Sequence, residues 1–122
     1  MSPEEPALRR AKARLDRLAL YPEPVRLDRV RLVRAPLFFR LPRIRRYGGY
    51  ALWRTILLKR APCGSEPQGH PCASDDLLTH ELCHIWQGQQ RRWHMLLAYA
   101  TTRYRDNPYE REAREAVAAT RD

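Results

Sequence analysis

The stretch from Ser74 to Gln87 (Ser-Asp-Asp-Leu-Leu-Thr-His-Glu-Leu-Cys-His-Ile-Trp-Gln) constrains this chain more than any other. Leu77, Leu78, Leu82, Ile85 and Trp86 recur at helical spacing, and Ser74 or Asp75 can cap the start. A helix here sets His80 and His84 one turn apart on one face, where both imidazoles converge on a single ion. Glu81 follows His80 directly, so it sits beside the ion rather than among its ligands and is placed to accept a proton. Zinc suits such a pair and lowers the pKa of a bound water to roughly 7. Leu78, Leu82 and Ile85 fall on a different face, which leaves the histidines free to line a cleft.

A catalytic zinc needs a third protein ligand and one open position. His94, Glu110, Glu112 and Glu115 follow the motif. His94 does not fall at the spacing that metzincins use. Glu110 would sit in the first turn of a last helix, after a connection long enough to fold that helix back beside His80 and His84. Asn107-x-x-Glu110 is also a capping-box spacing, and a carboxylate there suits the helix dipole, so ligand and cap both remain open on local grounds.

The remaining pattern predicts an α+β domain. Ser2, Pro3 and Glu5 form a capping box before a packing helix over about Pro3 to Leu20, which Tyr21-Pro22 ends. Val25, Leu27, Val30 and Leu32 alternate with charges as a half-buried strand, bulged at Asp28-Arg29. Residues 35–46 are broken by Pro36 and Pro42 and take no assignment. Tyr47-Gly48-Gly49-Tyr50 opens an extended region, and Tyr50 to Lys59 reads as one or two strands. Residues 61–73 form a loop by composition. Beyond the motif helix, Trp93 to Tyr104 reads as a second helix. Asn107-Pro108 then starts a third, running to about Thr120. The expected order is an N-terminal helix, a small twisted sheet, the motif helix and two further helices, in a single domain over 1–122.

The net charge of +9 comes almost wholly from arginine, with 21 Arg and two Lys, and the arginines spread from Arg9 to Arg121. Segments 9–17, 26–34 and 40–46 would supply phosphate contacts if the surface met nucleic acid, so a weak nucleic-acid contact is an alternative partner. Neither an apolar signal-peptide core nor a membrane-length apolar run is present, and the expected setting is the cytoplasm. Cys83 reads as a small buried residue, with a metal-proximal thiol as its rival. Cys63 and Cys72 flank the loop with His70 between them. A disulfide is not expected in a reducing compartment, and their spacing does not suit structural zinc. Trp86 and Trp93 read as core or interface residues. Tyr99, Tyr104, Tyr109, His94 and Arg103 are candidates to stabilise a developing oxyanion.

Three segments resemble minimal gluzincins, small bacterial domains with two His ligands and a downstream Glu. They are Tyr50-Ala51-Leu52-Trp53-Arg54-Thr55-Ile56-Leu57-Leu58, then Leu77 to Gln87, then Tyr104-Arg105-Asp106-Asn107-Pro108-Tyr109-Glu110-Arg111-Glu112-Ala113. The resemblance covers roughly residues 47–118. It implies a zincin-like fold, one Zn2+ held by His80, His84 and Glu110, Glu81 as general base, and hydrolysis of a peptide or protein substrate. It further implies that the strand Thr55 to Lys59 edges the cleft and pairs with extended substrate. Two positions depart from the pattern. Trp53-Arg54 stands where a tight glycine turn is usual, and Arg114 stands where many such domains carry an acidic residue.

Overall fold

Apolar side chains spaced three and four apart build the first helix and attach it to the rest. In the computed structural model, which describes residues 4–28, 30–42, 47–52, 54–63, 72–102 and 107–121, helix α1 (Glu4–Asp16) buries Ala7, Leu8, Ala11 and Leu15. It packs along helix α2 (Asp75–Thr101), which in turn packs on helix α3 (Pro108–Thr120). Between α1 and α2 lie strands β1 (Arg31–Arg34), β2 (Gly49–Leu52) and β3 (Thr55–Leu58), with a 3-10 turn at Phe38–Arg40 after β1. The sheet has the order β1-β3-β2, with β1 parallel and β2 antiparallel to β3. The architecture is α+β, and one core joins its layers: Ile56 and Leu58 from β3, Leu78, Leu82, Ile85 and Trp86 from α2, and Ala113 and Ala116 from α3.

Several boundaries differ from expectation. Helix α1 ends at Asp16, because Arg17 and Leu18 bond back to Arg14 and Leu15 in a closing turn. Regular strand geometry begins only at Arg31, although Val25 is fully buried. The two helices expected over 74–87 and 93–104 form one element of 27 residues. The break shrinks to a single residue, Arg91, whose φ of −143° and ψ of 47° kink the helix, because no proline or capping residue interrupts Gly88 to Arg92. The α3 start is as expected: the Asn107 side chain accepts from Tyr109 N at 2.8 Å, with Pro108 in the first turn. The Ser2 capping residue, Arg29, Trp53, His70, and Arg43, Arg45 and Arg46 of the third Arg-rich segment lie outside the described residues.

The predicted edge strand is corrected. Thr55–Leu58 is the central strand, flanked on one side by β1 and on the other by β2. The strand beside α2 is β2. Its approach depends on Gly48 and Gly49. A Cβ on Gly48 would lie 3.2 Å from Leu77 Cδ2, and one on Gly49 would lie 3.3 Å from Glu81 Cγ. Small residues are needed there for β2 to lie against the motif helix.

Arginine also acts as internal glue. From α1, Arg10 pairs with Asp75 at 3.2 Å and Arg14 with Asp76 at 2.8 Å, in the first turn of α2. The same Arg14 donates to the Val117 carbonyl, and Arg17 to that of Thr120, where the last turn of α3 leaves carbonyls without helical partners. Arg121 adds a second cation to Asp76 at 2.9 Å.

Cys63 and Cys72 form a disulfide, contrary to expectation. Backbone bonds Cys63 N to Ala73 O and Ala73 N to Ala61 O hold the two ends of the loop together, with the Cα atoms 4.9 Å apart. The pairing consumes the two thiols that a second metal site would have needed. Such bonds persist in oxidising surroundings, so this one gives no support to a cytoplasmic setting. No helix among the described residues is long and apolar enough to cross a membrane.

Closure of this loop is expected to stabilise the fold by about 2–3 kcal/mol through the unfolded chain. Urea unfolding of Cys63→Ser/Cys72→Ser should lose that amount, and an unchanged midpoint would show the bond to be dispensable. The hydrogen bond to Arg14, helped by Arg121, holds the Asp76 carboxyl below its usual range. A depressed folded pKa stabilises above the unfolded value near 3.9 and is lost as pH falls through the folded one. Asp76→Asn is therefore expected to cost up to about 1 kcal/mol at neutral pH, limited by solvent screening, and nothing in strong acid. Unfolding curves at the two pH values check this.

Candidate metal centre

Helix α2 is buried almost continuously from Leu78 to Gln87, and four of those residues are polar: Thr79, Glu81, His84 and Gln87. Buried polar groups need partners, and their partners define the site. His80 and His84 rise from successive turns of α2 and meet Glu110, which enters from the first turn of α3. His80 Nε2 lies 2.7 Å from Glu110 Oε1, His84 Nε2 lies 3.0 Å from Glu110 Oε2, and the two Nε2 atoms are 3.2 Å apart. One donor atom from each residue falls within 4.8 Å of the others, a group that could hold a metal ion. The donors, two imidazole nitrogens and a carboxylate, are a set that zinc and its neighbours accept. Bonds of 2.0–2.1 Å at tetrahedral angles put ligand atoms about 3.3 Å apart, so an ion needs these side chains to open by only tenths of an ångström.

Glu110 is almost fully buried. Burial alone would raise its pKa, but the hydrogen bonds and charge of His80 and His84 outweigh that and hold the carboxyl well below the usual range. Burial opposes a charge on His84, yet Glu110 and Glu81 raise its pKa on balance.

Gln87 sets the orientation of His84. Its Oε1 accepts from His84 Nδ1–H at 2.8 Å, which turns the ring so that Nε2 faces Glu110. Gln87 Nε2 in turn donates to the Tyr109 carbonyl at 2.9 Å and to Glu112 Oε1 at 3.0 Å, and Tyr21 donates its hydroxyl to the same Glu112 oxygen. Gln87 closes the motif segment and carries no role in the expectations drawn from sequence. Its position three residues after His84 on a helix is the signal that would have found it. Arg114, at the position where an acidic partner is common, lies exposed on the cleft wall. Glu112, two residues after Glu110, supplies the anchoring carboxylate instead.

Glu81 lies against β2. Its Cγ is the atom nearest a Cβ built on Gly49, and its carboxylate accepts the Ala51 N–H. Burial pushes its carboxyl up, against the charges of His84 and His80. Tyr99, on α2 beyond the kink, donates its hydroxyl to Glu110 Oε2 at 3.2 Å. His94 and Tyr109, two other oxyanion candidates, are hydrogen-bonded to one another. Arg103 and Tyr104 lie outside the described residues. Glu112 and Glu115 stay out of the triad, the first with Gln87 and Tyr21, the second exposed. Cys83 is fully buried, and burial raises its thiol to about 12, which suits an inert core residue. Trp86 is core and donates to the Glu23 carbonyl, whereas Trp93 is 80% exposed and does not belong to the core.

The triad opens on a cleft of about 1650 Å³ between β2, α2 and α3. No protein-family model matches the chain, and no curated protein and no solved structure does either.

Replacing Gln87 by Leu frees the His84 ring. Loss of such a partner is expected to weaken binding of a divalent probe ion such as cobalt roughly 10–100-fold. Competition against a chromophoric chelator measures this, and an unaltered affinity would remove Gln87 from the centre.

Proposed function

We propose that this chain is a zincin-like metallopeptidase of the gluzincin kind, with zinc held by His80, His84 and Glu110. The observation that carries the reading is the convergence of those three side chains from two helices, with Glu81 one residue from His80 and facing the same cleft. Zinc, when bound, supplies Lewis acidity toward a peptide carbonyl and toward water.

The chain's own residues divide the remaining work. Glu81, held by the Ala51 N–H, accepts a proton from the attacking water on its carboxylate and passes it to the leaving amine nitrogen. Tyr99, whose hydroxyl donates to Glu110 Oε2, would steady that ligand from the cleft wall. Strand β2 offers the substrate a backbone edge. Lys59 N bonds to Gly48 O, so alternate residues from Gly48 onward face β3. Gly49 and Ala51 therefore turn their backbone groups outward. The Ala51 N–H is taken by Glu81, and the Gly49 N–H and carbonyl point to the side on which an extended peptide would add. This supports the partner reading of a peptide or protein substrate, placed at β2 rather than at Thr55–Lys59.

Glu81→Gln tests the reading. Protein purified without chelators is expected to carry about one zinc per chain. The variant should keep that metal while hydrolysis of an unstructured protein falls by roughly 10²–10⁴-fold. A wild type that retains no divalent metal, or a variant that cleaves at the same rate, would refute it.

A further inference from the structure

Outside the metal centre the walls of the cleft carry more positive than negative charge. Arg26 and Arg54 flank it on the sheet side, Arg92 stands on α2 just past the kink, Arg114 on α3 one turn beyond Glu110, and Arg121 just after α3. All five are exposed. Outside the catalytic group the described acidic residues of the cleft are Asp28 and Asp76; Asp76 pairs with Arg14 and Arg121, so the excess of positive charge rests on Arg26, Arg54, Arg92 and Arg114 against Asp28. The cations come from separate parts of the chain that the fold brings to one cleft. One of them is held in place by a built contact: Gln89 on α2 clamps the Arg26 backbone from both sides, accepting from its N–H at 2.9 Å and donating to its carbonyl at 2.8 Å. Trp93 and Leu96 add exposed apolar surface to the same wall.

Resting on the peptidase reading, we infer that the cleft selects an acidic polypeptide segment, with Asp or Glu residues on both sides of the bond to be cut. A cleft with low-dielectric walls and one sign of charge concentrates the opposite sign and raises association rates. The outward backbone groups of Gly49 suit an extended peptide, which would lie about 4.8 Å from β2. A peptide backbone matches both the N–H and the carbonyl of that edge, whereas a phosphodiester can accept from the N–H and has no donor for the carbonyl, which favours acidic protein over nucleic acid.

The test uses full-length Glu81→Gln protein, which holds a peptide without cutting it. Three fluorescein-labelled peptides of one core sequence carry acidic, uncharged or basic flanks, and anisotropy reports their binding at low salt and at ~0.15 M. The acidic peptide is expected to bind about tenfold more tightly than the uncharged one, with the margin shrinking as salt rises. Arg26→Glu/Arg54→Glu in the same background should abolish or reverse the order, and Arg26→Lys/Arg54→Lys should preserve it. Equal binding of the three peptides would overturn the inference, as would tighter binding of single-stranded DNA than of the acidic peptide at equal salt. Hydrolysis by the wild type is scored separately. Cleavage without charge preference sinks the acidic substrate alone, whereas metal-free protein that cleaves none of the peptides sinks the peptidase reading.

Discussion

A carboxylate with 2% of its surface exposed must be matched, and the matching of Glu110 organises this fold. An isolated buried charge is costly, and removing one partner of a buried pair leaves the other uncompensated. Glu110 is matched by His80 and His84 from the neighbouring helix. The α2–α3 interface is therefore fastened by the same atoms that form the candidate centre. The apolar part of that interface, Leu82 and Ile85 with Ala113 and Ala116, brings the helices close. The polar part fixes their register, because a shift of either helix by one turn would separate the triad.

Around this centre the polar groups form a layered support. Gln87 holds His84, Glu112 and the Tyr109 carbonyl hold Gln87, and Tyr21 holds Glu112. Each group has a partner on a different part of the chain, so the orientation of one imidazole is referred back to three segments. A buried network satisfied in this way is rigid. In the first turn of α2, Arg10 and Arg14 fasten α1 to Asp75 and Asp76. Thus part of the strongly basic composition is accounted for by pinning helices, and part by the cleft.

What the sequence disclosed and concealed follows from the range of the interactions involved. The motif helix and the α3 start were legible because their signals are local: histidines four apart, and Asn107 followed by Pro108. Whether Glu110 caps its helix or meets the histidines was not a local question, since its partners lie 30 residues back at His80 and 26 back at His84. Strand order was equally hidden. The apolar run Thr55–Leu58 has the same alternation at an edge as in the middle, and only its pairing with β1 makes it central. The Gly48-Gly49 pair carried the better clue, because glycine in an extended segment marks a close approach. The disulfide depends on the backbone pairing of Cys63 N with Ala73 O and Ala73 N with Ala61 O, which brings Cys63 and Cys72 together and which the loop's composition does not reveal.

The kink at Arg91 gives the long helix two different tasks. Before it, α2 is core on almost every side; after it, from Arg92 to Thr101, none of its residues is fully buried. That second half walls the cleft with Arg92, Trp93, Leu96 and Tyr99. Two of its side-chain ties reach the first turn of α3, His94 to Tyr109 and Tyr99 to Glu110. One of those ties ends on a member of the triad itself. The cleft wall and the centre are thus joined through the Tyr99 hydroxyl. Such a segment, with few buried apolar contacts, belongs to the low-stability end of the molecule. Recognition at the wall and alignment at the centre then draw on the same few hydrogen bonds.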